Sequence, residues 1–347
     1  MTATFPPATI RTWQYHSTRG GLETNLNLNT SSPLPKPNSN QHLVQILAVC
    51  LNPVDYKPAE IPLANRVMIS RPATPGIDIA GCIVTPASGS PLKRGDLVFG
   101  CPSNTPLAGG ALTEFAVCEK GNVVAVPEGL SAIDASTVCV AGLTAYQTIV
   151  PRVKKGDKVL INGGSGGVGV FGIQIAKVVG CHVTATCSTA NVELCKGLGA
   201  DVVVDYKKGS VAEALKVSGV KFDHVLDNVG GSDLELYWKC HEYTRPGAVY
   251  MAVGGTPSVG YAIERMKIKM IPSFLGGGKR KIEGFFAVPV AGDLSQIGAW
   301  MAEGKVKAVI DSKFSFEEAP KAFERLKTGR ARGKIVVDIA LETYHRS

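Results

Sequence analysis

Apolar positions along the chain change their spacing twice. Between residues 43 and 117 they come in short runs broken by glycine and proline. Leu43–Leu51 alternates imperfectly, Gly76–Val84 follows Pro72 and Pro75, Leu97–Phe99 follows Gly95–Asp96, and Leu112–Val117 follows Gly109–Gly110–Ala111. Short strands with that punctuation predict a partly open β-barrel rather than a helical domain. Residues 9–30 read as polar and turn-rich. Near Pro127 the texture changes, and residues 131–150 carry small apolar side chains at helical spacing. Beyond them strands and helices alternate. Val159–Ile161, Val183–Thr186, Asp201–Val204, Phe222–Leu226 and Ala248–Val253 read as strands, and Asn191–Leu198 as a helix ending near Gly199. The alternation predicts an open, parallel, doubly wound α/β sheet. In the tail, Leu294–Met301 and Phe316–Leu326 read as helices and Lys334–Ile339 as a last strand, which periodicity assigns to neither domain.

The densest signal is residues 158–177, where a buried strand runs into Gly163, Gly164, Gly166, Gly167 and Gly169, and then into Val170, Ile173 and Ala176 at helical spacing. Glycine permits a sharp turn and close backbone approach. The helix start offers unpaired N–H groups at the positive end of its dipole. Gly164, Gly167 and Gly169 fit G-x-x-G-x-G, and Gly164, Gly166 and Gly169 fit G-x-G-x-x-G, with Ser165 and Val168 between them. In a strand–turn–helix setting this predicts a dinucleotide pyrophosphate site; the plain alternative is a ligand-free glycine turn. No Gly-Lys-Ser or Gly-Lys-Thr follows, which excludes a P-loop.

A chain of 347 residues exceeds one usual domain. No apolar run approaches the roughly 18 residues of a membrane span. The net charge of +8 favours an anionic ligand such as a phosphorylated cofactor. Without zinc-finger spacing or a long basic tract, it does not predict nucleic-acid binding. The nine cysteines are scattered with no C-x-x-C pair, which predicts a reducing, cytoplasmic setting rather than a disulfide scaffold. The first 22 residues lack acids but include Arg11, Arg19, Pro6 and Pro7, an incomplete targeting signature.

Several stretches together are similar to one family. Asn52-Pro53-Val54-Asp55-Tyr56-Lys57, Pro75-Gly76-Ile77-Asp78, Ala141-Gly142-Leu143-Thr144-Ala145, the glycine loop and Gly329-Arg330-Ala331-Arg332-Gly333-Lys334-Ile335-Val336 resemble the medium-chain dehydrogenase/reductase superfamily. The resemblance is to its zinc-free quinone oxidoreductase and enone reductase branch, and also to polyketide trans-enoyl reductases. It implies a GroES-like catalytic domain from residues 1–127 and 275–347 around a Rossmann cofactor domain, 128–274. Zinc alcohol dehydrogenases of the superfamily carry Cys, His and Cys ligands where this chain has Asn52, Ile77 and Ala141, and Asp78 stands where they have Glu. Asn, Ile and Ala do not supply a tetrahedral zinc set, so no metal is expected.

The cofactor expected is NADPH. After the strand ending Thr186-Cys187, the loop Ser188-Thr189-Ala190-Asn191 carries no acid before Glu193, whereas an NAD site commonly places one there. The resemblance puts Ser188 and Asn191 around a 2′-phosphate, with Tyr206 flanking the adenosine and Lys207 or Lys208 assisting; a helix cap and packing are the plain readings of Ser188 and Tyr206. Asn228 and Gly254 follow strands and are expected at the cofactor edge, Thr144 at the nicotinamide, and Asn52 at the nicotinamide or as a loop former. Tyr56 and Lys57 are the candidate catalytic donors for a developing oxyanion, against packing for the tyrosine and solvent exposure for the lysine. Asp55 reads first as a helix cap. Met266, Met270, Phe274, Phe285 and Phe286 suit an acceptor pocket, a core or a dimer surface equally, and Lys279-Arg280-Lys281 suits a solvated charge run or an acidic carrier protein. The function implied is NADPH-dependent reduction of the activated C=C bond of a small hydrophobic enone, or of a quinone. The alternatives are a trans-acting enoyl reductase serving a polyketide synthase carrier protein and a non-enzymatic cofactor binder; similar enzymes are monomers or homodimers.

Overall fold

The computed structural model describes residues 6–61, 69–103, 109–230, 234–255, 259–275 and 277–339. The chain forms two compact units, one from residues 1–143 with 288–347 and one from 144–287. These divisions fall later than the sequence boundaries at 127/128 and 274/275. The helix Ala132–Ser136 accounts for part of the difference, because it packs on strands of the first unit.

The first unit holds β1 (Thr9–Gln14), β2 (Asn27–Pro33), β3 (Gln41–Leu51), β4 (Asp78–Thr85), β5 (Leu97–Gly100), β6 (Phe115–Glu119) and β7 (Val123–Ala125). The second holds β8 (Lys158–Asn162), β9 (His182–Cys187), β10 (Val202–Asp205), β11 (Phe222–Asp227), β12 (Thr244–Ala252) and β13 (Lys281–Gly284). The first then resumes with β14 (Ile310–Ser315) and β15 (Lys334–Asp338).

In the first unit the strand order is β14-β15-β3-β4-β5-β7, with β6 also on β3. β3 is the hub. β4 pairs along Leu43–Cys50, while β6 takes Gln41–Gln45 and β15 takes Ala48–Leu51 on the other edge. The last strand, which periodicity left unassigned, therefore belongs here. Residues 9–30 are not simply turns, since β1 and β2 form an antiparallel pair. The polar residues of β1 hid it: Arg11 and Thr12 are buried, with Arg11 Nε donating to Glu114 Oε1 at 2.8 Å and Thr12 Oγ1 sharing a 2.7 Å hydrogen bond with Thr113 Oγ1.

The second unit is a six-stranded sheet, β10-β9-β8-β11-β12-β13, parallel throughout. β8 and β11 lie at its centre, and Leu160, Ile161, Val225 and Leu226 are fully buried, as a strand covered on both faces requires. The helix Gly167–Val178 packs on β8 and β9 through Val170, Phe171, Ile173 and Ile175.

At the junction of β3, β4 and β15 lies a buried charged cluster. Lys334 Nζ donates to Asn52 Oδ1 and lies 3.5 Å from Asp78 Oδ2. Asn52 Nδ2 donates to Asp78 Oδ2 at 2.9 Å and to the Cys50 carbonyl at 3.2 Å, and the Val140 N–H donates to Asp78 Oδ1 at 2.9 Å. Burial alone would lower the lysine pKa, but Cys50, Asp78 and Asp55 outweigh it and the net direction is up. Burial raises Asp78 against the pull of Lys334, Asn52 and the Val140 N–H. With three donors converging on it, Asp78 is the ionised partner. Removing one member of a buried pair costs about 3–5 kcal/mol, because the other charge is left uncompensated. Lys334→Met is therefore expected to cost about 3 kcal/mol or more in guanidinium unfolding, with Lys334→Met/Asp78→Leu recovering part of the loss. A single variant within about 0.5 kcal/mol of the parent, the range of ordinary surface changes, would refute the pairing.

Candidate functional site

The glycine turn leaves β8 after Asn162 and enters the helix at Gly167. Gly163 has φ +77°, which accounts for glycine there. Gly164 and Gly169 are fixed by packing. A β-carbon on Gly164 would lie 2.9 Å from Ala185 Cβ, and one on Gly169 would lie 2.2 Å from the Gly163 carbonyl oxygen. Gly166 differs. It is the N-cap, no side chain caps the helix there, and among the described residues a β-carbon on it would meet nothing nearer than 3.6 Å. The first helical bond runs from Val170 N–H to Gly166 O at 3.0 Å. The N–H groups of Gly167, Val168 and Gly169 precede it, so no helical carbonyl serves them. An open, glycine-lined helix start of this kind fits a pyrophosphate.

The strand ends around this turn are tied by hydrogen bonds that the sequence reading missed. Thr186 Oγ1 donates to Asn162 Oδ1 at 2.5 Å and accepts from Gly163 N–H at 3.0 Å. Asn162 Nδ2 donates to Asp227 Oδ1 at 2.7 Å. The same oxygen accepts from Val229 N–H at 3.0 Å and Gly230 N–H at 3.1 Å, and Asp227 Oδ2 accepts from Tyr250 Oη at 2.6 Å. Burial first, then the Asp227 charge, pushes the Tyr250 phenol well up, so it stays a donor. The available signal was a polar residue ending each apolar strand. Beyond the Asp227 junction, the Nδ2 and Oδ1 atoms of Asn228 are both buried and unpartnered among the described residues. Leaving such a group unsatisfied costs about 1–3 kcal/mol, and hydroxyls of a cofactor ribose would satisfy it. Gly254 packs directly below, since a β-carbon there would lie 2.1 Å from the Asn228 carbonyl oxygen.

The structure brings together three more of the expected residues. Asn191 Nδ2 donates to Ser165 Oγ at 3.0 Å and to Ser188 Oγ at 3.2 Å, joining the glycine turn to the loop after β9. Tyr206 is 49% exposed, with Lys207 Nζ 5.6 Å from its ring centroid. One acid was missed. Asp205 accepts from Thr189 Oγ1 at 2.7 Å and from Lys207 N–H at 3.0 Å. The Thr189 bond, with Lys208 and Lys207 nearby, lowers its pKa. Thr144 is buried, and its carbonyl accepts from Thr148 Oγ1 at 2.6 Å.

In the first unit, both hydrogens of the Asn52 amide are already engaged, by Cys50 O and Asp78, which favours loop formation over cofactor donation. Ile77 and Ala141 are buried aliphatics with no donor atom. No group of three or more His, Cys, Asp or Glu among the described residues is placed to hold a metal ion. Tyr56 is half-buried against the core, with Lys327 Nζ 5.7 Å from its ring centroid; burial raises its phenol. Lys57 is also half-buried rather than solvent-facing, and burial lowers its pKa. Met266, Met270 and Phe286 are 60%, 72% and 80% exposed, so they are not core. The side chain of Phe274 lies outside the described residues.

Comparison with known proteins bears on this site. Residues 38–128 match the model of the alcohol dehydrogenase GroES-like domain, and residues 198–337 match that of the zinc-binding dehydrogenases. A trans-enoyl reductase of Aspergillus terreus is 45% identical over 96% of this chain and 97% of its own. A chloroplast envelope quinone oxidoreductase homolog of Arabidopsis thaliana is 34% identical over 94% of this chain and 97% of its own. The solved quinone oxidoreductase of Coxiella burnetii superimposes with a TM-score of 0.82 at 29% identity, covering 95% of this chain and 99% of that one.

The strand-end network predicts non-additivity. Asp227→Ala, which strands Tyr250 Oη and Asn162 Nδ2, is expected to cost about 3 kcal/mol. Asn162→Ala in that background should cost about 1 kcal/mol less than it does alone. Urea unfolding of the four-member cycle measures this, and strict additivity would disprove the network.

Proposed function

Since the chain belongs to the medium-chain dehydrogenase/reductase superfamily, in its zinc-free quinone oxidoreductase and enoyl reductase branch, we propose that it reduces the activated C=C bond of small enones or quinones with a nicotinamide cofactor. The observation that carries the cofactor is the open helix start at Gly166 together with the orphaned Asn228 amide. The bound cofactor supplies hydride to the acceptor. The pyrophosphate would rest on the N–H groups of Gly167, Val168 and Gly169, held in place by the fixed turn. Asn228 would bind a ribose hydroxyl. Without zinc ligands at Asn52, Ile77 and Ala141, the acceptor must carry its own activation through conjugation, and a simple alcohol has none.

NADPH is the preferred cofactor in this reading. Ser165, Ser188 and Asn191 are neutral and hydrogen-bonded to one another, and Lys207 and Lys208 follow Tyr206 in the chain to offset the Asp205 carboxylate bonded to Thr189. Tyr56 and Lys57 remain the donors for the oxyanion. Reaction at a carrier-bound acyl chain is the second reading. The fungal relative that is a trans-enoyl reductase favours it, and so do an exposed apolar stripe at Ile263, Met266 and Met270 and the basic Lys279–Lys281 stretch. A homodimer is compatible with either. A cytoplasmic location is favoured by nine free, buried cysteines, and no helix among the described residues is long and apolar enough to cross a membrane.

An anaerobic screen of enones, quinones and simple ketones with deuterated NADPH tests the chemistry. The expected product is a saturated ketone with deuterium at the β-carbon. Reduction of simple ketones with C=C bonds untouched would reject the proposal, and turnover only of carrier-bound substrates would select the second reading. For the cofactor, Asn191→Asp is expected to weaken NADPH binding by about 10-fold or more, through like charges at the 2′-phosphate, while NADH changes little. Equal losses for both cofactors would remove Asn191 from the phosphate site.

A further inference from the structure

Asp55 has a hydrogen-bonding arrangement that its capping role leaves incomplete. It closes the turn Pro53–Asp55, its Oδ2 accepting the Asn52 N–H at 2.6 Å. Its other oxygen, Oδ1, is buried and has no partner among the described residues, and the whole residue is 6% exposed. Beside it is a cavity of about 10 Å³, lined by Asp55, Tyr15, Thr74, Gly76 and Gly109 among others. That is room for a single water molecule.

The charges around Asp55 decide its state. Burial is the largest influence and pushes the acid well up. The Asn52 N–H opposes it, the Asp78 charge reinforces it, and Lys334 opposes it. Lys334 is hydrogen-bonded within the Asn52–Asp78 pair. The other titratable groups nearby, Cys50 and Tyr15, are themselves raised by burial, and Arg71 lies 5.9 Å from the Tyr15 ring centroid. The Lys334 ammonium thus faces two carboxyl groups, Asp78 with three donors on it and Asp55 with one. With Oδ2 already accepting the Asn52 N–H, a proton carried by Asp55 would sit on Oδ1, the atom without a partner among the described residues.

Reduction of an enone needs such a proton. Hydride arriving at the β-carbon leaves an enolate, and the α-carbon must then be protonated. A general acid works best with a pKa near the operating pH. On the same loop, burial displaces the Tyr56 phenol upward, away from that range, whereas it displaces the Asp55 carboxyl upward, toward it. We propose that Asp55 is the proton source of the reduction, acting from Oδ1 through one water held in the cavity beside Tyr15 and Thr74. Asp55 gives its proton to the water as the water gives one to the α-carbon. The enolate electron pair forms the new C–H bond, and the carboxylate left behind is reprotonated from solvent. The proposal rests on the enone-reductase reading for its substrate, but the state of Asp55 can be measured without one.

Asp55→Asn keeps an acceptor for the Asn52 N–H and removes the acidic proton. With NADPH and an enone, kcat is expected to fall about 100-fold or more, with NADPH binding unchanged. The high-pH limb of the wild-type rate profile should disappear. In the infrared, wild type at pH 7 should show a protonated carboxyl band that Asp55→Asn lacks. Stability supplies the sign. A native state that retains a proton the unfolded chain has released loses stability as pH rises from the unfolded pKa, about 4, to the folded one. Asp55→Asn should therefore gain on wild type across that window. Wild-type kcat and pH profile in Asp55→Asn, or no protonated carboxyl band in wild type, would overturn the proposal. Should the variant not fold, the wild-type band decides alone: it must titrate away over the high-pH limb. Wild-type protein that shows the band but turns over no enone would instead count against the enone reading.

Discussion

Asp227 is the point at which the cofactor unit is held together. One buried carboxylate accepts a side-chain amide from β8, a phenol from β12 and two backbone N–H groups of the loop that follows its own strand. Charge-assisted bonds of this kind are the strong ones, and the low dielectric of the sheet interior makes each donor dependent on the acceptor being there. The effect reaches β9 through Asn162 and Thr186, and from Thr186 returns to the N–H of Gly163. The geometry of the glycine turn is therefore set by polar groups at the carboxyl ends of four neighbouring parallel strands, and the glycines only permit it.

That division of labour explains what the sequence made legible. The strand–turn–helix and the parallel sheet could be read because each depends on local spacing. Asp227, Tyr250, Thr186 and Asn162 could not, because their partners lie 23 to 65 residues away and each residue alone looks like an ordinary strand end. β1 escaped for a related reason: its polar side chains are buried by partners about a hundred residues distant. Asn52 is a related case. Its motif fits a loop former or a nicotinamide contact, and the hydrogen bonds of its amide to the Cys50 carbonyl and Asp78, which favour the loop former, lie partly with a residue 26 positions away.

The two units handle buried charge differently. In the cofactor unit a single carboxylate is stabilised by neutral donors. In the other, Lys334, Asp78 and Asp55 share one enclosure, two acids against one base, and burial raises both acids while Lys334 opposes it.

The position of Lys334 in the chain also governs the order of assembly during synthesis. The ammonium that neutralises Asp78 is 256 residues downstream of it, and the strand carrying it is the one that occupies the β3 edge at Ala48–Leu51. A ribosome that has released the whole of residues 144–287 has yet to make either. The cofactor unit, contiguous in the chain, is free to fold first. The amino-terminal strands meanwhile emerge with an open sheet edge and an unneutralised acid pair, which is the situation in which nascent chains associate wrongly. The medium that receives the nascent chain thus matters more for the first half of this protein than for its middle.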